Sequence, residues 1–405
     1  MTQPIYDAVV VGGGPSGATA ANELARAGKN VVLLDRAGRI KPCGGAIPPR
    51  LIRDFEIPQS LLCAQIRSAR IVSPTDRKVD MPIDGGFVGM VNREVFDEYL
   101  RTRAAESGAE RRVGLYERMS REDDGTAVVH YRGAAKPGAG AKPTVGPLES
   151  IRTRLVIGAD GARSLVARQE VPDGDKVHCV FAYHEVVKVP EASEVPDYDG
   201  RRCDVVYNGQ VSPDFYGWVF PHGSTASVGT GSANKGFSLR GSVADLRAAT
   251  GLDGVETIRR EGAPIPMKPL KKWDNKRDVL LAGDAAGVVA PSSGEGIYYA
   301  MVGGQLAAEA GLEFLETGRA SALAGARRRF MKAHGRVFWI LGLMQRFFYC
   351  NDNRRERFVT MCQDEDVQRL TWQAYMNKEL VRANPMAHVR IFFKDMAHLM
   401  GLVSP

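Results

Sequence analysis

A glycine-rich turn between a strand and a helix constrains the fold of this chain more than any other feature. The apolar run Ile5 to Val11 predicts a buried strand, and Gly12-Gly13-Gly14-Pro15-Ser16-Gly17 follows it directly. The segment Ala18 to Ala27 then favours a helix, and Asn30 to Asp35 predicts a second strand that ends in an acid. The order and spacing are those of a β-α-β unit that binds a dinucleotide.

Each residue of this turn has a physical role in binding a dinucleotide. Gly12 permits the tight turn, Gly14 lets a pyrophosphate approach the backbone, and Gly17 lets the helix pack closely on the strand. The free N–H groups at the helix N-terminus favour an anion. Asp35 can accept a ribose hydroxyl and repels a 2′-phosphate, so the turn suits FAD or NAD better than NADP.

Two later motifs favour FAD. Gly158-Ala159-Asp160-Gly161 follows a predicted strand, and Gly283-Asp284 follows the apolar run Val279 to Leu281. An aspartate after a strand can bind a ribityl chain, and a following helix N-terminus can stabilise negative charge on a reduced flavin. Taken singly, each motif also fits an ordinary capped turn.

The chain resembles a known family in these motifs. Their order resembles the glutathione-reductase-type flavoproteins, in the branch that contains the aromatic hydroxylases. Pro42-Cys43-Gly44-Gly45 and Tyr216-Gly217-Trp218-Val219-Phe220-Pro221 are similar to the geranylgeranyl reductase family, in particular to the branch of chlorophyll and bacteriochlorophyll synthesis. The resemblance covers about residues 5–340. It implies that the double bonds of a geranylgeranyl chain are reduced to phytyl, on the pigment or on the free diphosphate.

The expected fold is mixed α/β, with a glutathione-reductase-type FAD-binding Rossmann-like fold, an inserted antiparallel β-sheet substrate domain and a helical C-terminal region. The expected parts are FAD-binding segments at 1–80, 91–175 and 273–317, a substrate-domain strand at 81–90, a β-rich substrate domain at 176–272 and a basic helical region at 318–405. Within them, Val91 to Gly108 predicts a helix that Arg93 opens, and 133–147 predicts an exposed hairpin or loop.

The resemblance also implies site residues. Those expected to bind the cofactor are Gly12, Gly14, Pro15, Ser16, Gly17, Asp35, Arg36, Gly44, Gly45, Ala46, Arg93, Asp160, Gly161, Gly283, Asp284, Gly294, Gly296 and Ile297. Cys43 is placed near the flavin, as a proton donor or a positioning group, or simply as a small packed side chain.

The aromatic residues of the second family motif are candidates for contact with the substrate. Tyr216 and Trp218 alternate with Gly217 on a predicted strand, so they share one face with Phe220. That face could line a prenyl channel or belong to an ordinary sheet core.

The sequence constrains the electron donor less than it constrains the FAD site. The sequence has no second glycine-rich dinucleotide motif, so NADPH is expected to visit transiently, and the family resemblance favours it. A ferredoxin-type donor is the alternative.

Positive charge is concentrated near the C-terminus. From Gly318 onward there are 15 basic and 7 acidic residues, whereas the whole chain carries +7. A predicted helix there has one apolar face formed by Val337, Ile340, Leu341, Met344, Phe347 and Phe348. Such a helix can lie on an anionic membrane or pack on the protein body. We expect no nucleic-acid binding, because no known module is present.

Cysteine and histidine patterns give no metal site. None of the six cysteines has CxxC spacing, and the histidines show no ligand spacing. The N-terminus lacks a basic-then-apolar segment, and the longest apolar run, Val337 to Met344, is too short to span a bilayer. We expect a cytoplasmic protein without disulfides, either free or bound peripherally to the photosynthetic membrane, and leave its oligomeric state open.

Two alternatives share the cofactor motifs. A flavin monooxygenase of the aromatic-hydroxylase type would need the same glycines and aspartates, but would consume oxygen. A non-catalytic prenyl-binding escort would not need an intact cofactor cradle, which this sequence has.

Overall fold

The computed structural model describes residues 4–36, 40–133, 146–189, 195 and 197–378. By their internal contacts these residues fall into two compact units. The first unit is drawn from 1–41, 93–179 and 265–336, and the second from 42–92, 180–264 and 337–405.

The described residues form runs of consecutive strands separated by single helices, and those from 297 onward are helical. The strands are β1 (Ile5–Val11), β2 (Val31–Asp35), β3 (Ala46–Ile47), β4 (Leu62–Ile66), β5 (Ser68–Val72), β6 (Lys78–Pro82), β7 (Val88–Val91), β8 (Glu110–Arg121), β9 (Ala127–Gly133), β10 (Leu148–Gly158), β11 (Cys179–Lys188), β12 (Arg202–Val206), β13 (Gly217–His222), β14 (Thr225–Ser232), β15 (Thr257–Pro266) and β16 (Val279–Leu281). The α-helices are α1 (Pro15–Arg26), α2 (Pro49–Asp54), α3 (Arg93–Glu106), α4 (Leu165–Glu170), α5 (Leu239–Ala249), α6 (Ile297–Thr317), α7 (Ala324–Phe348), α8 (Asp352–Met361) and α9 (Glu365–Asn377). Short 3-10 helices cover Gln59–Leu61, Gly283–Ala286 and Ala320–Ala322.

The first unit is built on a parallel sheet. Strand β1 pairs with β2 and with β10, β2 pairs with β8, and β10 pairs with β16, all in parallel. Strand β9 joins β8 to β10 through antiparallel pairs. Helices α1 and α6 pack against each other closely, since a Cβ on Gly304 would lie 2.2 Å from the carbonyl oxygen of Ser16. The predicted β-α-β unit is confirmed, with the helix starting at Pro15 rather than Ala18.

The second unit is built on a seven-stranded sheet in the order β15-β11-β14-β13-β12-β5-β6. The described pairs are antiparallel except β5 with β12, which run parallel. Helix α5 packs on β14, and their shared core includes Val187, Val228, Val243 and Leu246. Strands β3, β7 and β4 form a separate small antiparallel sheet.

The units divide the chain at other residues than the sequence suggested. Segment 42–92 belongs with the strand-rich unit, because β5 and β6 extend its large sheet. The chain after 337 also joins that unit, where Arg355 donates to the Pro213 carbonyl and Gln345 to that of Asp214. Of the expected hairpin at 133–147, residues 134–145 lie outside the described residues. Its ends meet, since the Gly133 N–H donates to the Pro147 carbonyl.

Helix α3 forms where the Val91 to Gly108 pattern predicts it, with Phe96 and Leu100 buried. In the part of the chain that the structure describes, no helix is long and apolar enough to cross a membrane.

Candidate functional site

The turn between β1 and α1 forms a cradle whose shape depends on its glycines. Gly12 has φ +104°, and a Cβ there would lie 2.4 Å from the carbonyl oxygen of Ala159. A Cβ on Gly17 would lie 1.8 Å from the carbonyl oxygen of Gly12. At Gly14 nothing lies within 4 Å of the Cβ position. Two glycines therefore allow close packing, and the third leaves open space beside the backbone.

Helix α1 presents its N-terminus to that space. Gly14 is the N-cap residue and makes no side-chain cap, Pro15 follows it, and the first turn contains no acidic side chain. The buried hydroxyl of Ser16 has no hydrogen-bond partner among the described residues. Free N–H groups and an unpaired hydroxyl at a helix N-terminus fit a pyrophosphate.

Asp35 lies beside the same turn. It accepts hydrogen bonds from the backbone N–H groups of Gly13 and Arg36. Burial raises the pKa of its carboxyl group, and these bonds and the charge of Arg101 oppose that shift only in part. The Arg101 guanidinium donates to the Gly13 carbonyl at 3.2 Å and lies 3.5 Å from Asp35 Oδ2. Nothing in the sequence marks Arg101, because it reaches the turn from α3, an element distant in the chain.

The carboxylate of Asp160 is hydrogen-bonded to other residues of the protein. Its carboxylate accepts the Ser164 hydroxyl at 2.5 Å and the backbone N–H of Leu165 at 2.7 Å, at the start of α4. Burial raises the pKa of Asp160, and these hydrogen bonds oppose that effect. The neighbouring Gly161 has φ +88° and open space at its Cβ position. The carboxylate of Asp160 thus holds the start of α4. The open space in this turn lies beside the backbone of Gly161.

Asp284 lies in the 3-10 helix Gly283–Ala286, close to the N-terminus of α6. Its buried carboxylate forms an ion pair with Lys41. Gly296 is the N-cap residue of α6, so no N-cap side chain accepts a hydrogen bond from the N–H groups of the first turn. A Cβ on Gly296 would lie 3.9 Å from Asp284 Oδ1. A carboxylate and a helix N-terminus are therefore adjacent, as the sequence predicts; Lys41 was not foreseen.

Gly283 and Gly294 shape the same region, with φ values of +64° and +67°. A Cβ on Gly283 would lie 2.6 Å from the Cβ atom of Ser16, which ties this motif to the first turn.

Arg93 has a structural partner. Its guanidinium forms a two-pronged hydrogen bond with Asp97, at 2.8 and 2.7 Å, and both residues are buried. Its charge is therefore compensated within α3, whereas Arg36 is exposed at the end of β2.

The second unit contains the cysteine motif in a tight turn. The N–H of Gly45 donates to Cys43 Sγ at 3.4 Å, and Gly45 has φ +71°. A Cβ on Gly44 would lie 2.9 Å from the ring of Phe220, so the turn packs directly on the aromatic motif. Ala46 then begins β3.

The aromatic motif forms a row of rings. The centroids of Tyr216 and Trp218 are 6.1 Å apart, as are those of Trp218 and Phe220. Tyr216 and Trp218 are buried, and burial raises the pKa of the Tyr216 hydroxyl above its ordinary value.

A polar network that the sequence did not reveal holds Trp218. Its indole N–H donates to Ser227 Oγ at 3.0 Å, and Ser227 Oγ lies 2.8 Å from His184 Nδ1. His184 Nε2 lies 3.1 Å from Glu261. Because Gly229 has no Cβ, the indole of Trp218 can lie over that residue of β14.

The predicted site residues thus gather in two groups. The first unit holds the glycine turns with Asp35, Asp160 and Asp284, and the second holds the cysteine turn with the aromatic row. Among the described residues, no cluster of three or more His, Cys, Asp or Glu side chains could hold a metal ion.

Comparison with protein families gives a match to the FAD-binding domain family over residues 5–322. The chain is 58% identical to a geranylgeranyl diphosphate reductase of Rhodobacter capsulatus, over 99% of both chains. It is 37% identical to a chloroplastic geranylgeranyl diphosphate reductase of Oryza sativa, over 96% of this chain and 85% of the relative.

Among solved structures, the fold is similar to that of a geranylgeranyl bacteriochlorophyll reductase-like protein from Thermoplasma acidophilum. The TM-score is 0.79 at 22% identity, with 95% of this chain and 100% of the other covered. At this identity the likeness concerns the fold alone.

Proposed function

The chain belongs to the geranylgeranyl reductase family of FAD-binding proteins, and we propose that it saturates the double bonds of a geranylgeranyl chain. The observation that carries the proposal is 58% identity to a named reductase over 99% of both chains. The acceptor is a geranylgeranyl chain attached to (bacterio)chlorophyll or to a diphosphate, and the product is phytyl.

The cofactor is FAD, and the first unit offers the groups that fit it. The open space at Gly14 and the N-terminus of α1 suit the pyrophosphate, and Asp35 suits the ribose. Asp284 with Lys41 and the N-terminus of α6 suit the polar atoms of the flavin half. Once bound and reduced by the electron donor, the flavin would supply the hydride that adds to one carbon of the double bond.

Cys43 supplies the proton in this proposal. Its thiol S–H bond breaks as a C–H bond forms at the second alkene carbon, and solvent later returns the proton to sulfur. The N–H of Gly45, 3.4 Å from Sγ, stabilises the thiolate that remains. The hydride and this proton together account for the two hydrogens gained.

The aromatic row binds the prenyl chain in this proposal. Tyr216, Trp218 and Phe220 present contiguous ring surface next to the cysteine turn. A polyprenyl chain is apolar and gains by leaving water, so such a surface binds it without needing polar contacts.

NADPH serves as the electron donor in this proposal and binds transiently, since the sequence has no second glycine-rich dinucleotide motif.

An anaerobic assay tests the reaction. Purified protein with bound FAD is mixed with NADPH and either geranylgeranylated bacteriochlorophyll or geranylgeranyl diphosphate, and products are resolved by mass. We expect stepwise gains of two hydrogens with at least one substrate, which also identifies the carrier. A product that appears only with oxygen and gains one oxygen atom would instead show a monooxygenase.

Cysteine variants test the proton donor in the same assay. Cys43→Ala should retain FAD and lose most turnover, whereas Cys350→Ala removes an exposed cysteine and serves as the matched control. Equal turnover in the two variants would remove Cys43 from the mechanism.

We further propose that the end of α7 contacts an anionic membrane surface. Trp339 is 67% exposed and Phe347 is 42% exposed, which is unusual for large apolar side chains. Arg346 is exposed on the same helix, and the Arg354 guanidinium lies 5.9 Å from the Phe347 ring centroid. Exposed aromatic rings beside arginines fit a lipid interface.

Vesicle flotation tests the membrane contact. Vesicles with phosphatidylglycerol should bind the protein, and vesicles of phosphatidylcholine alone should bind it weakly. Trp339→Ala should reduce binding, whereas Ile258→Ala, which truncates another exposed apolar side chain, should not. Equal binding by the two variants would refute this surface.

A further inference from the structure

His222 contacts the cysteine turn and is not part of either predicted motif group. It is the last residue of β13, two positions after Phe220. His222 Nε2 lies 3.0 Å from the carbonyl oxygen of Gly44. A Cβ on Gly45 would lie 2.5 Å from His222 Cε1, so the imidazole packs directly on that glycine.

The hydrogen-bond pattern fixes the tautomer of His222. The Gly44 carbonyl can only accept, so Nε2 must carry the hydrogen. Burial lowers the pKa of His222 to about 4, so the ring is neutral at physiological pH and Nδ1 carries no hydrogen. Nδ1 lies 3.2 Å from Asn92 Oδ1 and 3.5 Å from Cys63 Sγ. The oxygen and nitrogen of an amide are assigned from their hydrogen bonds, and exchanging them on Asn92 gives the unprotonated Nδ1 an N–H donor that holds the ring in place.

The hydrogen bond from His222 to Gly44 and the hydrogen bond to Cys43 involve the same peptide group. The carbonyl oxygen of Gly44 and the N–H of Gly45 belong to the same planar peptide group. One end accepts from His222, and the other end donates to Cys43 Sγ at 3.4 Å. A carbonyl that accepts a hydrogen bond makes the N–H of its own peptide a better donor. The carbonyl of Gly45 is also fixed, by the N–H of Val91 at 2.9 Å.

We propose that His222 is a positioning residue that holds the Gly44–Gly45 peptide so that its N–H points at the Cys43 sulfur. His222 touches neither the substrate nor the cofactor in this scheme. It acts through the peptide, by orienting the thiol and by stabilising the thiolate that remains after the proton has left. The catalytic consequence rests on the proposed role of Cys43, whereas the effect on the thiol does not.

Thiol chemistry provides a test that does not depend on turnover. Alkylation by iodoacetamide is followed for each cysteine separately by peptide mass spectrometry on the FAD-free and FAD-loaded full chain. In His222→Phe, which keeps a ring but has no N–H, Cys43 should react about three- to tenfold more slowly, the factor of one ordinary hydrogen bond. The rate at exposed Cys350 should not change.

A conservative variant separates positioning from general stability. His222→Gln retains an N–H donor with similar reach and should restore most of the Cys43 rate. An unchanged Cys43 rate in His222→Phe, or no recovery in His222→Gln, would overturn the proposal. Should His222→Phe not fold, Asn92→Ala replaces it, because Asn92 is exposed and its loss should slow Cys43 in the same direction.

Steady-state kinetics of the same variants test whether the effect on the Cys43 thiol changes the rate of the reaction. His222→Phe should lower kcat about tenfold with KM changed less than twofold, and His222→Gln should recover it. The matched control is His130→Phe, which removes a histidine hydrogen-bonded to Ser120 in the first unit. If Cys43 alkylation changes as expected but Cys43→Ala leaves turnover intact, the positioning stands and the proton-donor role fails.

Discussion

Gly14→Ala separates the binding of the cofactor from the stability of the fold. At Gly14, φ is −74° and ψ is −177°, a conformation that alanine adopts without strain. Nothing lies within 4 Å of the Cβ position, so the added methyl group meets no protein atom. The substitution also reduces the freedom of the unfolded chain. We therefore expect the FAD-free protein to be more stable by about 0.4–1 kcal/mol.

The same methyl group should weaken FAD binding. It occupies the space beside the N–H groups of the first turn of α1, where a pyrophosphate must approach the backbone. Loss of one charge-assisted hydrogen bond costs about 1.5–3 kcal/mol, which raises Kd roughly 10- to 150-fold. For Gly14→Ala we therefore expect a higher free energy of unfolding of the FAD-free protein together with a higher Kd for FAD.

Two measurements check this expectation. Fluorescence titration of FAD-free protein with FAD gives Kd, and urea unfolding of the same preparation gives the free energy of unfolding. Gly254→Ala is the matched control, because its Cβ position is also open and its φ is not positive. An unchanged Kd in Gly14→Ala, or an equal change in Gly254→Ala, would refute the assignment of this space to the pyrophosphate.

Three further expectations concern stability. Gly17→Ala should destabilise the fold by more than about 2 kcal/mol in urea unfolding, because its Cβ would lie 1.8 Å from the Gly12 carbonyl oxygen. Burial raises the pKa of Asp278, but its ion pair with Arg121 outweighs burial and leaves the pKa below its ordinary value. The ion pair therefore stabilises the fold above about pH 4, and this stabilisation is lost as the pH falls further. Asp278→Asn should therefore cost about 2 kcal/mol at pH 7 and progressively less in unfolding experiments at acidic pH. Ser227→Ala should cost about 1–3 kcal/mol and increase the solvent exposure of the indole that its hydroxyl holds, measured by tryptophan fluorescence.

Sequence reasoning was most effective where the chemistry is local. The turn from Gly12 to Gly17 lies between two elements that are adjacent in the chain, and its glycines are needed for backbone reasons that spacing reveals. Asp35 closes the next strand of the same unit, so its position beside the turn also follows from the order of the elements. The helix opened by Arg93 was confirmed for the same reason, since its apolar period is a property of the segment itself.

Side-chain roles were harder to assign, because a charged group takes whichever partner the fold places nearest. The carboxylate of Asp160 could face a ligand or cap a helix, and the structure has it capping α4. The guanidinium of Arg93 pairs with Asp97 one helical turn away. Arg93 is buried and Asp160 is half-buried. A charge removed from water without a partner is costly, so the nearest hydrogen-bonding group determines the outcome.

The sequence by itself determined the nucleotide cradle, the resemblance to one reductase family and the alternation that puts Tyr216 and Trp218 on one face. Only the tertiary structure brought His222 to Gly44, 178 residues away, and placed segment 42–92 in the strand-rich unit. These contacts depend on which strands pair, and the parallel pairing of β5 with β12 joins segments that no local pattern connects. A strand's preference for its neighbour comes from packing and backbone hydrogen bonds in the assembled sheet, and neither is encoded within the strand alone.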